Sequence, residues 1–150
     1  MEKCLFFTVP GAPKGKGRPR VTKTGHAFTP KDTAEYENLV RLYFTQTYPR
    51  HVPITGPIRA EISAYFPIPK SWTKKKRQQW KEGGVYPVVK PDADNIAKSI
   101  LDSLNNIAFT DDSHVIELNV RKLYGTFPHV DTLIRYDGPE EMEKPEHVHA

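Results

Sequence analysis

Residues 90–112 read KPDADNIAKSILDSLNNIAFTDD, and the spacing inside this stretch sets the architecture. Ile96, Ile100, Leu104 and Ile107 recur at steps of four, four and three, which lines them along one side of a helix. Pro91 biases the residue before it away from helical geometry and suits a helix entry, so Asp92 or Asp94 opens the element. Acidic side chains are favoured there by the positive end of the helix dipole. The polar side carries the chemistry: five aspartates (Asp92, Asp94, Asp102, Asp111, Asp112) accompany one interior lysine, Lys98. Asp94, Lys98 and Asp102 stand four residues apart, on a stripe away from the apolar one. Carboxylates at this density repel one another unless a cation sits among them, and hard oxygen ligands are what Mg2+ or Mn2+ selects. Asp111-Asp112 closes the turn before a strand, from which one carboxylate can return to the same metal. Each piece has a plainer reading: a helix N-cap at Asp92, a solvated ion-pair ladder over Asp94-Lys98-Asp102, a turn signal at Asp111-Asp112. The joint pattern is what favours a metal site.

Around this helix the chain alternates elements. Leu5 to Val9 is a short apolar run stopped by Pro10-Gly11, a strand. GAPKGKGRPRVTKTG follows as a basic loop with too little apolar content for an element of its own. From Pro30 to Tyr48, Tyr36, Leu39, Val40, Tyr43, Phe44 and Thr47 recur at helical steps. Ile58, Ala60, Ile62, Ala64 and Phe66 alternate with polar neighbours, the two-residue period of a half-buried strand. Ser71 can cap a helix through Lys81 that Gly83-Gly84 ends, with Trp72 and Trp80 near one face. Val115 to Tyr124 and Val130 to Tyr136 read as two closing strands joined at Gly125 as a hairpin. The expectation is one α+β domain over residues 1–136, a mixed sheet packed with helices, followed by an acidic and flexible tail over residues 137–150. Cys4 reads as a buried small residue, and Tyr65, Phe66, Trp72 and Trp80 as core aromatics rather than base-stacking groups.

The 150 residues suit one domain, and the apolar runs are far too short to cross a bilayer. No export signal is visible and one cysteine cannot form an internal disulfide, so a reduced, cytoplasmic setting is expected. A formal charge of +4 conceals two opposite halves. Residues 1–90 hold 17 Lys/Arg against 6 Asp/Glu, whereas residues 91–150 hold 5 against 12. Such asymmetry suits a protein that grips a polyanion with one surface and works with carboxylates on another. The candidate grip is Lys14, Lys16, Arg18, Arg20 and Lys23 on the Gly-rich loop, with Lys74, Lys75, Lys76 and Arg77 as a second cluster. That loop is not a P-loop: counted from Gly11, Lys16 stands where glycine is required, and ATP is not implied. A D-x-D pair also serves nucleotide-sugar glycosyltransferases, for whose larger nucleotide-binding domain the chain has no room.

Asp92-Ala93-Asp94-Asn95 with Lys98, Asp102 and Leu104, then Asp111-Asp112 before Val115, resembles the RusA family of Holliday junction resolvases of bacteria and their prophages. Gly17-Arg18-Pro19-Arg20, Ser71-Trp72 with its basic stretch, and VRKLYG (residues 120–125) extend the resemblance from about Leu5 to Tyr136. The resemblance implies a Mg2+-dependent (Mn2+ as alternative) endodeoxyribonuclease that resolves four-way junctions by paired symmetric nicks in DNA recombination and repair. It implies metal ligands at Asp92, Asp94 and Asp112, with Asp111 as the alternative member of its pair, and a lysine required for cutting at Lys98. It also implies a homodimer, which suits the two-fold symmetry of a junction that needs two nicks. Asp102 then pins Lys98 from the other side, or is a plain helix-surface acid. Two other functions stay open: a nuclease acting on other branched DNA, and an inactive DNA-binding accessory protein.

Overall fold

The computed structural model describes residues 1–17, 20–25, 27–28 and 31–138. Strand β1 (Glu2–Pro10) is followed by two short strands, β2 (Arg20–Val21) and β3 (Ala27–Phe28), that pair with each other. Then come helix α1 (Lys31–Thr47), strand β4 (Ile58–Pro67), helices α2 (Lys74–Lys81) and α3 (Ala93–Leu104), and strands β5 (Val115–Gly125) and β6 (His129–Asp137). The main sheet runs β1-β6-β4-β5; β6 is antiparallel to β1 and β4, and β4 is parallel to β5. The parallel pair follows from the long connection carrying α2 and α3, since parallel neighbours need a crossover rather than a tight turn. This is the mixed sheet of a single α+β domain.

One face of the sheet builds the core. Leu5, Phe7 and Val9 of β1, the five alternating apolar residues of β4, and Val130 and Ile134 of β6 are buried under α1 and α3. From α1 come Tyr36, Val40 and Phe44, with Phe7 and Phe44 packed edge to face at 5.3 Å. Ile96, Ile100 and Leu104 of α3 are fully buried, each stabilising the fold by about 2 kcal/mol. Ile107 lies beyond the helix end and is half-buried. The Tyr48 hydroxyl accepts a hydrogen bond from Phe6 N at 2.8 Å, tying the end of α1 to the outer strand β1.

Several details depart from the sequence expectation. β5 and β6 do not form a hairpin: β4 lies between them, and residues 126–128 cross over its end. β4 is central because it pairs with β5 along one edge and with β6 along the other, so the short link must step over its end. Gly125 is required by close approach, because a Cβ there would stand 3.2 Å from the Tyr65 ring. The cap of α2 is Thr73, which accepts from Lys76 N at 3.2 Å, rather than Ser71. Trp72 therefore precedes the helix, yet it meets Tyr124 edge-on at 4.7 Å, and Trp80 donates to the Tyr124 carbonyl at 3.2 Å. Cys4 is exposed, since the alternation that buries Leu5, Phe7 and Val9 turns it outward. Phe66 is core as expected, whereas Tyr65, Trp72 and Trp80 are half-buried. The basic loop also contains β2, which pairs with β3 just beyond it, a small ladder that its low apolar content did not suggest. Pro30 and residues 139–150 of the acidic tail lie outside the described residues.

Candidate active site

Helix α3 presents its carboxylates at two levels. At the first turn Asp92 occupies the N-cap position (φ −68°, ψ 153°), but its side chain accepts no capping hydrogen bond. The carboxylate is thus not spent on the backbone. Asp92, Asp94 and Lys98 are all exposed, and among the described residues no ion pair joins Lys98 to Asp94 or Asp102. The ladder that the four-residue spacing allows is therefore not formed.

Eight residues after Asp94, about 12 Å along the helix axis, Asp102 is held by Lys16 instead. The Lys16 Nζ contacts Asp102 Oδ2 and stands 3.4 Å from Glu37 Oε1, with the three side chains 23%, 19% and 13% exposed. Glu37 is also met by Arg41 at 3.5 Å, and Arg41 Nε donates to the Ser103 carbonyl at 3.1 Å. Burial alone would lower the pKa of the Lys16 ammonium; the hydrogen bond and charge of Asp102, then those of Glu37, outweigh it and raise the group above its ordinary value. Lys16 therefore turns into the protein rather than out toward a polyanion.

The Gly-rich loop is laid along α3 by backbone contacts as well. Ser99 Oγ donates to the Lys14 carbonyl at 2.9 Å, Lys16 N to the Asn95 carbonyl at 3.2 Å, and Gly17 N to Thr33 Oγ1 at 2.9 Å. Ser99 and Thr33 are buried. Gly15 fits because it has no side chain: a Cβ would stand 3.0 Å from Pro91 Cβ and 3.1 Å from Asn95 Cβ. The loop start is thereby fixed beside the Asp92 and Asp94 end of α3.

Asp111 and Asp112 open a 3-10 turn, Asp112–His114, ahead of β5. Ser113 holds the Asp111 carboxyl below its usual range, first through its side-chain hydrogen bond and then through its backbone N, from which Asp111 Oδ2 accepts at 3.0 Å. Asp112 is pushed the other way: burial raises it first, and then the charges of Asp111 and Asp102 and a hydrogen bond with Asp102 raise it further. Two carboxyls in contact compete for one proton, and a cation would relieve them. Asp112 thus meets Asp102 near the end of α3, not Asp92 and Asp94 at its start. Among the described residues, no three His, Cys, Asp or Glu side chains are grouped to hold a metal ion.

The second basic cluster, Lys74, Lys75, Lys76 and Arg77, is exposed on α2, with Lys76 Nζ 5.6 Å from the Trp72 ring centroid. Lys14 and Lys23 are exposed; Arg18 lies outside the described residues, and only the backbone of Arg20, in β2, is described. Sequence reasoning missed Glu37, Ser99 and Phe127. The four-residue step from Glu37 to Arg41 was a usable signal for the first. Nothing in the sequence marks Ser99 as a loop anchor.

Fold and site together define a small α+β domain in which the start of a Gly-rich basic loop lies along a carboxylate-bearing helix and a further helix, α2, exposes a basic cluster. Among known protein families this arrangement has a match. The chain belongs to the endodeoxyribonuclease RusA family, whose model matches residues 10–135. It is also similar to the uncharacterized protein YqaN of Bacillus subtilis (strain 168), at 38% identity over 137 residues, covering 88% of this chain and 96% of that protein. Among the described residues no helix is long and apolar enough to cross a membrane.

Proposed function

We propose that the protein is a divalent-metal-dependent endodeoxyribonuclease that resolves four-way DNA junctions by paired nicks, in recombination and repair and in a prophage or bacterial cytoplasmic setting. The observation that carries the reading, given the family, is the division of labour along α3. Its first turn offers two carboxylates free of capping duty, and its last turn lies beside an Asp112 carboxyl that burial and the neighbouring acids Asp111 and Asp102 push above its usual range. All are hard oxygen donors of the kind Mg2+ or Mn2+ takes. When bound, such a cation supplies a water of lowered pKa and neutralises charge developing on the phosphoryl and leaving oxygens.

The chain's own residues do the rest. Lys98, exposed one turn after Asp94, offers a compact positive charge to a phosphoryl oxygen and cannot itself be a metal ligand while protonated. Lys14, fixed beside α3, and the α2 cluster neutralise backbone phosphates on either side. Asp102 positions Lys16, and through it the loop.

Asp94 and Asp92 stand about 12 and 15 Å of helix away from the Asp102 level, so one chain does not close a site with Asp112 as third ligand. A two-fold homodimer would close it across the two copies and supply the two cutting sites that a symmetric junction needs. The test is cutting of a synthetic junction with Mg2+ by Asp94→Asn, by Asp112→Asn and by an equimolar, co-refolded mixture. Each variant alone is expected to bind but not cut, losing at least 100-fold in rate. The mixture regains cutting, because half of the mixed dimer's composite sites keep all ligands. Full cutting by Asp94→Asn would refute the ligand assignment. Two dead variants that stay dead in a mixture shown to contain mixed dimers would refute the shared site.

A further inference from the structure

The end of the sheet nearest Asp92 carries a three-ring stack that the metal chemistry does not use. His129 lies parallel to Tyr65 at 4.3 Å between centroids and 10° between planes, and its other face is covered by Phe127 at 4.4 Å and 24°. The central ring is fixed: His129 Nδ1 lies 3.0 Å from the Phe127 carbonyl, and Nε2 lies 3.5 Å from Asp131, which accepts from Thr8 Oγ1 at 2.6 Å. Tyr65 and His129 sit opposite each other on adjacent strands, so the backbone ladder aligns the lower two rings. Phe127, on the link that crosses β4, is 61% exposed. One of its faces is taken by His129, so the exposed area is chiefly the other flat face.

A single exposed phenylalanine is ordinary on a protein surface. This one differs in being held flat and in its surroundings. On one side, Gly11 N donates to the Pro128 carbonyl at 3.0 Å, where the Gly-rich basic loop begins. On the other, Tyr124, three residues before Phe127, is the anchor of Trp72 and Trp80, which frame the basic helix α2. Gly15, at most about 14 Å of chain from Gly11, packs against Pro91 next to Asp92, so the basic loop links the end of the sheet that carries the stack to the start of α3.

We infer that Phe127 is a stacking platform for a nucleobase of the DNA substrate, one left unstacked on one side where strands exchange. Base-on-aromatic stacking needs a π-face and no particular hydrogen-bond pattern, so the contact serves any sequence. Tyr65 and His129 are its positioning residues, stiffening the ring that the base meets. The inference rests on the branched-DNA reading above and adds to it a contact that involves no charge.

The experiment uses the full-length protein in EDTA with synthetic junctions carrying 2-aminopurine at each position around the branch point. Wild type and Phe127→Trp are expected to change the fluorescence at one position and to bind with similar affinity. Phe127→Ala and Phe127→Leu lose that signal and bind on the order of tenfold more weakly. The slope of log affinity against log salt stays unchanged in both, because no phosphate contact is lost. Phe127→Leu keeps the apolar bulk, so it decides the matter should Phe127→Ala fold poorly. Wild-type affinity and an unchanged fluorescence signal in Phe127→Leu would overturn the platform while leaving the nuclease reading intact. A wild type that binds no junction overturns both.

Discussion

Replacing Lys16 by methionine separates a structural lysine from a DNA-gripping one. In the structure its ammonium sits between Asp102 and Glu37, with the acidic pair Asp111-Asp112 beyond Asp102. The methionine keeps the aliphatic stem and removes the charge. A hydrogen bond to a charged group contributes about 1.5–3 kcal/mol, and breaking a fully buried ion pair costs about 3–5 kcal/mol. Lys16 retains 23% of its side-chain exposure, so screening moves the loss toward the lower range, about 2 kcal/mol. At roughly 2–4 °C per kcal/mol for a chain of this size, Tm falls by about 4–8 °C. Urea unfolding of wild type, Lys16→Met, Asp102→Asn and the double variant gives the coupling, expected at about 1–3 kcal/mol. Its pH dependence has a defined sign. The folded Lys16 ammonium is raised above its unfolded value, so the stabilisation is complete below about pH 10.4 and is lost as pH rises through the folded value. The gap between wild type and Lys16→Met therefore closes at alkaline pH. A loss below about 0.5 kcal/mol, together with a DNA-binding salt slope reduced by about one, would refute the inward role and restore Lys16 to the phosphate grip.

Two further outcomes follow from the same geometry. In metal-free buffer Asp112→Asn stabilises the fold at pH 7 by on the order of 0.5 kcal/mol, because burial and the neighbouring acids raise the Asp112 carboxyl and ionising it costs free energy. The advantage is absent below the ordinary carboxylate value of about 3.9 and grows as pH rises through the folded value; parallel unfolding curves of the two proteins across the range would contradict it. Changing Lys74, Lys75, Lys76 and Arg77 together to glutamine weakens junction binding and flattens its salt slope by about 0.9 for each phosphate contact removed, read from binding isotherms at several salt concentrations. An unchanged slope makes α2 an ordinary solvated helix face.

The elements legible in the sequence were those whose periodicity reports burial. β4 alternates strictly and is central; α1 and α3 carry apolar stripes that face the sheet. What the sequence hid was which neighbours meet. The link between β5 and β6 has the length of a hairpin turn, and only the pairing of β4 with both strands makes it step across. Likewise Asp94, Lys98 and Asp102 share a stripe, yet Asp102 pairs with Lys16, a residue 86 positions earlier. Local spacing states what can meet along one helix, not what a distant loop will bring. Phe127 was equally illegible, because an aromatic residue after a strand carries no mark of whether its ring is buried or laid flat on a histidine.

This difference changes what the acidic stretch means. Read along the helix, Asp92 to Asp112 is one cluster of carboxylates. In the fold it is two clusters joined by a rod of fixed length, since the buried Ile96, Ile100 and Leu104 prevent α3 from bending to bring its ends together. At the far end Lys16 already offsets part of the charge on Asp102, whereas at the near end Asp92 and Asp94 have no cation among the described residues. The near end is thus the level whose exposed carboxylates have no cationic partner among the described residues, and the Gly-rich loop packs against it through Gly15. The described part of the loop delivers backbone and an exposed Lys14 to that level and uses its other lysine, Lys16, to hold the loop in place, so the charge that the proposed metal ion would offset is at Asp92 and Asp94 rather than at Asp102.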